Sequence, residues 1–217
     1  MFAVILAGGM SRRLGGVPKA GLLVDGETLL ARTVRGALMV VAPRDAGAAP
    51  HSGPAAGAGL AVVGPIEPVA DWLGQWAGHP LVRAVQEDPP FSGPAAGIAA
   101  GLAGLGARDG HVLVLACDMP GAGELARLLA AELAGCAVGQ GVMAVAGGCR
   151  QPLTAIYPVD GLWAAVEAAR AAHRLENASV FSLVASVNTK ECAVPTGLTA
   201  DIDTWDDARL HGIAAPG

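Results

Sequence analysis

The sequence is poor in charge, in aromatic side chains and in lysine. Charged residues make up 15% and aromatic residues 4% of the 217 positions, and Lys19 and Lys190 are the only lysines among 14 basic residues. Average domains carry about 25% charged residues. The hydrophobic fraction of 53% excludes disorder of the kind that arises from low hydrophobicity and high charge. A net charge of -5, with no run of Lys or Arg longer than two, argues against nucleic-acid binding.

Long uninterrupted apolar runs are also missing. Gly, Pro or a charge breaks each apolar stretch before the roughly 20 residues needed to span a bilayer, so we expect no membrane span. Residues 1–6 carry no basic segment and lead directly into Gly8-Gly9, so we expect no signal peptide. No Cys-x-x-Cys spacing occurs. The cysteines are therefore interpreted as small buried side chains in a reducing cytoplasm: Cys117, Cys136, Cys149 and Cys192.

Strand and helix patterns alternate along the chain. Apolar runs predict strands at 2–6, 82–86, 111–116, 142–146, 153–157 and 193–195, with Gly147-Gly148 as a tight turn. Helical spacing predicts helices at 28–38, 95–105, 123–134 and 162–175, and a last one capped by Thr204 and Asp207. The second strand is 37–42, 60–64, or both. Residues 42–59, rich in Ala, Gly and Pro, predict a flexible loop within one domain spanning 1–217. The alternation predicts an α/β fold with a largely parallel central sheet.

The segment after the first strand combines glycines with cations. It reads LAGGMSRRLGGVPK over residues 6–19. Two glycines let the backbone come close to a ligand, and consecutive N–H groups form an anion-binding nest. Arg12, Arg13 and Lys19 add three cations within eight residues of a net-acidic chain. The segment predicts a triphosphate site, with a solvated basic turn as the alternative, and it is neither a Walker A motif nor a GxGxxG fingerprint.

This segment resembles the L-A-G-G-x-S-x-R-M-G signature, followed by lysine, of the molybdenum cofactor guanylyltransferases. That family belongs to a nucleotidyltransferase superfamily with a three-layer, Rossmann-like fold. Leu14 stands where the family commonly has Met. The resemblance implies that Arg13 and Lys19 are catalytic and stabilise a pyrophosphate leaving group. It also implies that the following residues of the loop line the nucleotide together with Arg13 and Lys19: Leu6, Ala7, Gly8, Gly9 and Ser11.

Further segments extend the resemblance over nearly the whole chain. Residues 87–97 (EDPPFSGPAAG) are similar to the family's E-D-x-x-x-x-G-P-L-A-G, in which the acid matched by Asp88 holds the nucleoside of GTP. An exposed turn acid is the alternative for Asp88. Residues 116–120 (ACDMP) look like C-D-x-P, and an acid just after a buried strand suits a Mg²⁺ ligand. The resemblance makes Asp118 that ligand and a catalytic and nucleotide-binding residue, with a helix N-cap as the alternative.

The C-terminal half contributes two more matching segments. Residues 201–207 (DIDTWDD) are similar to the closing D-[IV]-[DN]-T-P-[ED]-[DE], with Trp205 in place of Pro. Asp203 is expected on the metal or on the acceptor side, and helix-start electrostatics is the alternative. Arg150 and Gln151 are expected to face the acceptor. The Asn that often follows the second strand in this family has no counterpart at 42–43 or 64–65, so Asp88 is the one base contact assigned.

The resemblance implies transfer of GMP from GTP to the molybdopterin-bound molybdenum cofactor, with Mg²⁺ and release of pyrophosphate. It implies a cytoplasmic enzyme in transient contact with cofactor-insertion or molybdoenzyme-maturation proteins. The alternative is a cytidylyltransferase of the same cofactor. Those relatives typically read L-A-A-G in the first loop and G-D-x-P after the central strand, whereas Gly8-Gly9 and Cys117-Asp118 stand here. Another small-molecule nucleotidyltransferase and a non-catalytic nucleotide-binding module are further alternatives, and Lys19 together with Asp118 argues against the module.

Overall fold

A computed structural model of the chain describes residues 1–9, 11–41 and 59–213, apart from the Arg12 side chain. Seven strands in these ranges form one sheet: β1 (Phe2–Leu6), β4 (Leu60–Val63), β5 (Val82–Val85), β6 (His111–Ala116), β7 (Gly141–Ala146), β8 (Cys149–Pro158) and β9 (Thr189–Ala193). Two short strands form a separate ribbon: β2 (Leu23–Val24) and β3 (Glu27–Thr28). The α-helices are α1 (Leu29–Leu38), α2 (Ile66–Leu73), α3 (Pro94–Leu105), α4 (Ala122–Leu133), α5 (Val159–Ala171), α6 (Val180–Val184) and α7 (Trp205–Leu210).

The strand order places a change of direction at the middle of the sheet. The order is β5-β4-β1-β6-β8-β7-β9, and β8 is antiparallel to both of its neighbours while the other pairs are parallel. The chain moves outward from β1 through β4 to β5 and then returns to β6 on the opposite side of β1. Ligands of α/β sheets bind beyond the carboxyl ends of strands at such a switch point. The edge above β1 and β6 is therefore the place where a ligand is expected.

Two layers of helices cover the sheet, which confirms the predicted α/β architecture. Along β1, Ala3 and Ile5 pack toward α1, α2 and α4, while Val4 and Leu6 pack toward α3, α5 and α6. Because both faces are covered, the central strands are continuous apolar runs instead of alternating ones. The runs at 2–6 and 111–116 are strands over their whole predicted length.

The two candidates for the second strand have different outcomes. β4 lies within the candidate at 60–64, whereas residues 37–41 of the other candidate form the end of α1 and the turn after it. The strand reading of 37–41 is wrong because Ala37 continues the buried face of α1. The predicted flexible loop at 42–59 lies outside the described residues, except for Gly59.

Local turn and cap chemistry follows the sequence closely. Gly147 and Gly148 have φ values of +55° and +79°, which side chains rarely adopt, and they form the turn between β7 and β8. Thr204 and Asp207 form the predicted capping box at the start of α7. All four cysteines are free, but the prediction that they are buried is confirmed only for Cys117. Cys136 and Cys192 are half-buried, and Cys149 is exposed at the tip of the β7–β8 hairpin.

The least regular elements were not predicted from the sequence. Of the predicted strand at 193–195, only Ala193 belongs to a strand: it is the last residue of β9, which begins at Thr189 and carries mostly polar side chains at the edge of the sheet. The prediction is wrong for 194–195, which follow β9. The helices α2 and α6 and the β2–β3 ribbon are short, so they leave little periodicity to detect.

No helix in the described ranges is long and apolar enough to cross a membrane.

Candidate active site

Three segments distant in sequence meet above the carboxyl ends of β1 and β6. The glycine-rich loop leaves β1, and Asp118 lies just after β6. β8 is antiparallel to both β6 and β7, so β7 runs in the same direction as β6, and β9 is parallel to β7. The chain after β9 therefore leaves the sheet at the same edge as the chain after β1 and β6. The N–H of Ile202 then donates a 3.0 Å hydrogen bond to the carbonyl oxygen of Asp118, which joins the C-terminal segment to the β6 loop.

A small apolar cluster holds the C-terminal segment against the first loop. Its members come from the loop, the ribbon, α1 and the region around α7: Leu14, Leu22, Val24, Leu29, Ile202, Ala208 and Ile213. Leu14 is 1% exposed and Ile202 is fully buried. Leu14, which stands where the family commonly has Met, keeps a large apolar side chain at this contact.

An ion-pair network lies directly beside this cluster. The Lys19 ammonium donates a 2.9 Å hydrogen bond to Asp118 Oδ2 and a second hydrogen bond to Asp203 Oδ1. The Arg13 guanidinium donates a 2.8 Å hydrogen bond to Asp203 Oδ2. The side chains of Lys19 and Asp118 are only 19% and 24% exposed, whereas Arg13 is 73% exposed. The Lys19 pairs are therefore less screened by solvent than the Arg13 pair.

The surroundings change the proton affinity of two groups in the network. Burial lowers the pKa of Lys19, but the hydrogen bond to Asp203 and the charge of Asp118 outweigh burial and leave this pKa above its ordinary value. Burial, followed by the neighbouring charge of Asp203, raises the pKa of Asp201. The ammonium of Lys19 is thus held in its charged form, while additional negative charge near Asp201 is disfavoured.

Three carboxylates converge at this point. Oxygen atoms of Asp118, Asp201 and Asp203 lie within 4.8 Å of one another. A set made only of carboxylate oxygens suits a hard cation such as Mg²⁺. Asp201 was not assigned a role from the sequence, although it lies in the closing motif. The available signal was the Asp-x-Asp spacing, because alternate side chains of an extended segment point to the same side.

The predicted nucleotide loop borders open space. The carbonyl oxygen of Leu6 accepts a 3.1 Å hydrogen bond from Cys117, and the N–H of Ala7 donates one of 2.8 Å to Val63, so both residues extend the sheet. A Cβ added at Gly8 or Gly9 would meet no heavy atom of the described residues within 4 Å. The loop backbone therefore has room for a ligand beside it.

Ser11 contributes to the order of the same loop. Its hydroxyl oxygen accepts a 3.4 Å hydrogen bond from the Lys19 N–H, and its carbonyl oxygen accepts hydrogen bonds from Leu14 and Gly16. These contacts fix the path of the chain between the glycines and Lys19. A contact of Ser11 with a nucleotide remains a prediction.

Asp88 stands apart from the ion-pair network. It follows β5, on the outer side of the sheet, and it is exposed. Together with residues of α3 and the end of α5, it lines a cleft of about 550 Å³ that does not include Lys19 or Asp118. Across the described ranges, no hydrogen bond or ion pair connects Asp88 with the network. Its assignment to the nucleoside remains a prediction.

The residues expected on the acceptor side lie at the same edge of the sheet as Asp118. Thr154 of β8 pairs with Leu115 of β6, so the earlier part of β8 projects beyond β6 on the side of Asp118. Arg150 donates a 2.6 Å hydrogen bond to Glu191 and is exposed. Gln151 lies next to Arg150 on β8. In the part of the chain that the structure describes, neither side chain forms a hydrogen bond or ion pair with the three converging aspartates. Asp203, expected on the metal or acceptor side, lies among the carboxylates.

The helix-cap alternative for Asp118 is not what the structure shows. The N-cap of α4 is Gly121, and Asp118 lies three residues before it. The Asp118 side chain points to Lys19 instead.

The second strand is β4, so Gly64-Pro65 occupies the position after it where the family often has Asn. A Cβ added at Gly64 would approach the Ala7 backbone to 3.3 Å, so this position is close to the first loop.

Comparison with known proteins identifies the family to which the chain is similar. The family model of the MobA-like NTP transferase domain matches residues 3–187. A curated relative from Opitutus terrae, named "Probable molybdenum cofactor guanylyltransferase", is 31% identical over 210 residues, covering 93% of this chain and 88% of the relative.

Solved structures share the fold at lower identity. Molybdopterin-guanine dinucleotide biosynthesis protein A from Archaeoglobus fulgidus is 20% identical with a TM-score of 0.60, covering 97% of this chain and 96% of that chain. The 2-C-methyl-D-erythritol 4-phosphate cytidylyltransferase from Francisella tularensis is 14% identical with a TM-score of 0.66, covering 97% of both chains. The family model over residues 3–187 and the 31% identical curated relative show that the chain belongs to the MobA-like NTP transferase family of nucleotidyltransferases.

Proposed function

We propose that this nucleotidyltransferase transfers GMP from GTP to the molybdopterin-bound molybdenum cofactor and releases pyrophosphate. The observation that carries the proposal is the meeting of Lys19, Asp118 and Asp203 at the switch point beside the glycine loop. The name of the curated relative supports guanine as the base. The Gly8-Gly9 pair and Cys117 before Asp118 support the same choice over cytosine.

The proposed reaction is a single displacement at phosphorus. An oxygen of the cofactor's terminal phosphate forms a bond with the α-phosphorus of GTP. The bond from this phosphorus to the oxygen that bridges to the β-phosphate breaks, and its electron pair leaves with pyrophosphate. Because the nucleophile already carries negative charge, no covalent enzyme intermediate is needed. The protein then contributes positioning and stabilisation of charge.

The first loop provides the contacts for the polyphosphate. A Cβ added at Gly8 or Gly9 would meet no described heavy atom within 4 Å, and backbone N–H groups of such a glycine loop suit phosphate oxygens. Lys19 and Arg13 supply positive charge on the adjacent side, and both already contact Asp203. In the proposed reaction they neutralise the charge that develops on the pyrophosphate leaving group. Arg provides forked donors, and Lys provides a compact point charge.

The converging carboxylates suit the metal that the family implies. Asp118 and Asp203, with Asp201 beside them, would hold Mg²⁺ through oxygen atoms alone. When bound, Mg²⁺ neutralises phosphate charge and polarises the reacting phosphorus. Asp203 is thereby assigned to the metal side of the site, and Asp201 is added to the set expected from the sequence.

The remaining predicted residues complete the proposal. Asp88, beside the α3 cleft, accepts hydrogen bonds from the guanosine, and Arg150 and Gln151 on the projecting part of β8 face the cofactor. The whole chain acts as one domain in the cytoplasm, where free thiols persist. Cofactor-insertion and molybdoenzyme-maturation proteins are the proposed transient partners, because they would receive the product.

A pyrophosphate-release assay tests the proposed function. The protein is incubated with Mg²⁺ and the molybdenum cofactor, and GTP or CTP is supplied in turn. We expect release with GTP and much slower release with CTP. Equal or faster release with CTP would contradict the guanylyl assignment, and nucleotide binding without any release would favour a non-catalytic module.

A further inference from the structure

The ammonium of Lys19 lies between two of the three converging carboxylates. It contacts Asp118 and Asp203 together, and these two acids are 85 positions apart in the sequence, as their numbers show. The carboxylate oxygens of Asp118, Asp201 and Asp203 lie within 4.8 Å of one another. One small cation at this point therefore offsets the mutual repulsion of the acids, which would otherwise push them apart.

A divalent cation and this ammonium compete for the same carboxylates. Magnesium binds oxygen at about 2.0–2.1 Å and demands nearly ideal octahedral geometry. The Lys19 nitrogen already lies 2.9 Å from Asp118 Oδ2. A cation bound among these oxygens would lie close to the ammonium, and the two positive charges would repel each other. Lys19 therefore opposes the entry of a divalent cation for as long as it stays beside the acids.

The charge of the site indicates what allows Lys19 to leave. Among the described side chains, three carboxylates face two cations, Lys19 and Arg13. Removing the ammonium alone would leave the acids repelling one another. A nucleoside triphosphate brings a large negative charge to the first loop. Its phosphate oxygens give the Lys19 ammonium a new partner in place of the acids.

We propose that Lys19 is an exchangeable placeholder cation: it holds the carboxylates together in the free enzyme and moves to the polyphosphate when metal and nucleotide enter together. This inference rests on the proposed function for the identity of the polyphosphate. It makes entry of the metal depend on the nucleotide, because free Mg²⁺ must compete with an ammonium that has no other partner. Lys19 thus excludes free metal, in addition to stabilising the leaving group.

Lys190 provides a matched control within the same chain. It is the second of the two lysines, and it forms an ion pair with Glu132 on the surface, with 45% of its side chain exposed. Glu132 and Lys190 lie on α4 and β9, away from the carboxylate group. A replacement of Lys190 by Gln removes the same charge from the protein without freeing any of the three carboxylates.

The first test measures binding of Mg²⁺ alone to the nucleotide-free protein by calorimetry. We expect Lys19→Gln to bind free Mg²⁺ about tenfold more tightly than the unmodified protein, because the competing charge is gone. Lys190→Gln should bind like the unmodified protein. Unchanged or weaker Mg²⁺ binding by Lys19→Gln would overturn the inference, whatever the nucleotide preference of the enzyme.

The second test follows the Lys19 side chain in the unmodified protein and uses a variant at Lys190 only to assign the signals, so it does not depend on the folding of a Lys19 variant. With ¹³Cε-labelled lysine, only two side chains give signals, and Lys190→Arg assigns them. We expect Mg²⁺ alone to leave the Lys19 signal in place and Mg²⁺ with GTP to shift it. A Lys19 signal that stays in place when calorimetry shows Mg²⁺-GTP binding would overturn the inference. Absence of GTP binding would contradict the proposed function, and the calorimetric comparison with Mg²⁺ alone would still decide the placeholder role.

Discussion

At the scale of single residues, the site is organised by the scarcity of charge. The chain has two lysines, and one of them is enclosed between Asp118 and Asp203, with 19% of its side chain exposed. A partly buried carboxylate that loses its partner is costly, so these residues depend on one another. The Asp118 backbone is also fixed by Ile202, which leaves the side chain as the part free to exchange partners.

Replacement of Asp118 by Asn should remove activity and leave the fold intact. The amide keeps the size of the side chain but loses the charge needed to hold a metal, so we expect kcat/KM to fall by about 10²-fold or more. Asp109→Asn is the control, because Asp109 is exposed in the turn before β6. Steady-state rates and circular dichroism check the result, and an Asp118→Asn variant with ordinary rates would exclude Asp118 from the metal site.

Replacement of Asp201 by Asn should raise the Mg²⁺ concentration that gives half-maximal activity by about tenfold. The change removes one of three converging negative charges, whereas the other two acids remain to hold the metal. Asp206→Asn is the matched control, since Asp206 is 88% exposed and pairs with Arg209. If both variants require the same Mg²⁺ concentration, Asp201 does not contribute to the metal site.

At the scale of elements, close contact of two helices sets the distance between the site segments. An ideal Cβ at Gly36 of α1 would lie 2.3 Å from the Gly123 Cα of α4. The helix α1 follows the segment that carries Lys19, and α4 begins four residues after Asp118. The backbones can come this close only because neither position has a side chain. Glycine at this contact therefore helps to place Lys19 next to Asp118.

Gly36→Ala should lower the free energy of unfolding by about 2 kcal/mol, because the added methyl group forces the two helices apart. Gly161→Ala in α5 is the control. An added Cβ there makes only an ordinary contact of 3.6 Å with Val187, so it should leave stability unchanged or raise it slightly. Urea denaturation of both variants provides the measurement. Equal stability of the two would show that α1 can shift at no cost.

The cap of α7 should control the local order of the segment that carries Asp203. Thr204 accepts a hydrogen bond from the Asp207 N–H, and Asp207 Oδ2 accepts hydrogen bonds from Thr204 and from the Asp203 N–H. Thr204→Ala removes the first of these, together with the hydrogen bond that the Thr204 hydroxyl donates to Asp207 Oδ2, and should cost about 1 kcal/mol. We expect the Asp207 amide to exchange with solvent about fivefold faster. Thr204→Ser keeps the hydroxyl group and should exchange at the original rate, and equal rates in all three proteins would show that the cap does not stabilise α7.

At the scale of the whole molecule, the central strands could be predicted because burial on both faces produces continuous apolar runs. β9 could not be predicted in full, since an edge strand is partly solvated and Thr189–Ala193 carries mostly polar side chains. The sequence identified Lys19 and Asp118 through motifs that follow strands. It did not assign Asp201, and it left Asp203 open between metal and acceptor, because their position depends on the order of β8, β7 and β9.

The enzyme is proposed to join a guanine nucleotide to the molybdenum cofactor. A direct test supplies equimolar GTP and CTP together with Mg²⁺ and the molybdenum cofactor, and then identifies the dinucleotide products by mass spectrometry. The ratio of products gives the ratio of the two kcat/KM values. We predict that the guanine product predominates. A cytosine product in equal or greater amount, or no dinucleotide of either kind, would contradict the account.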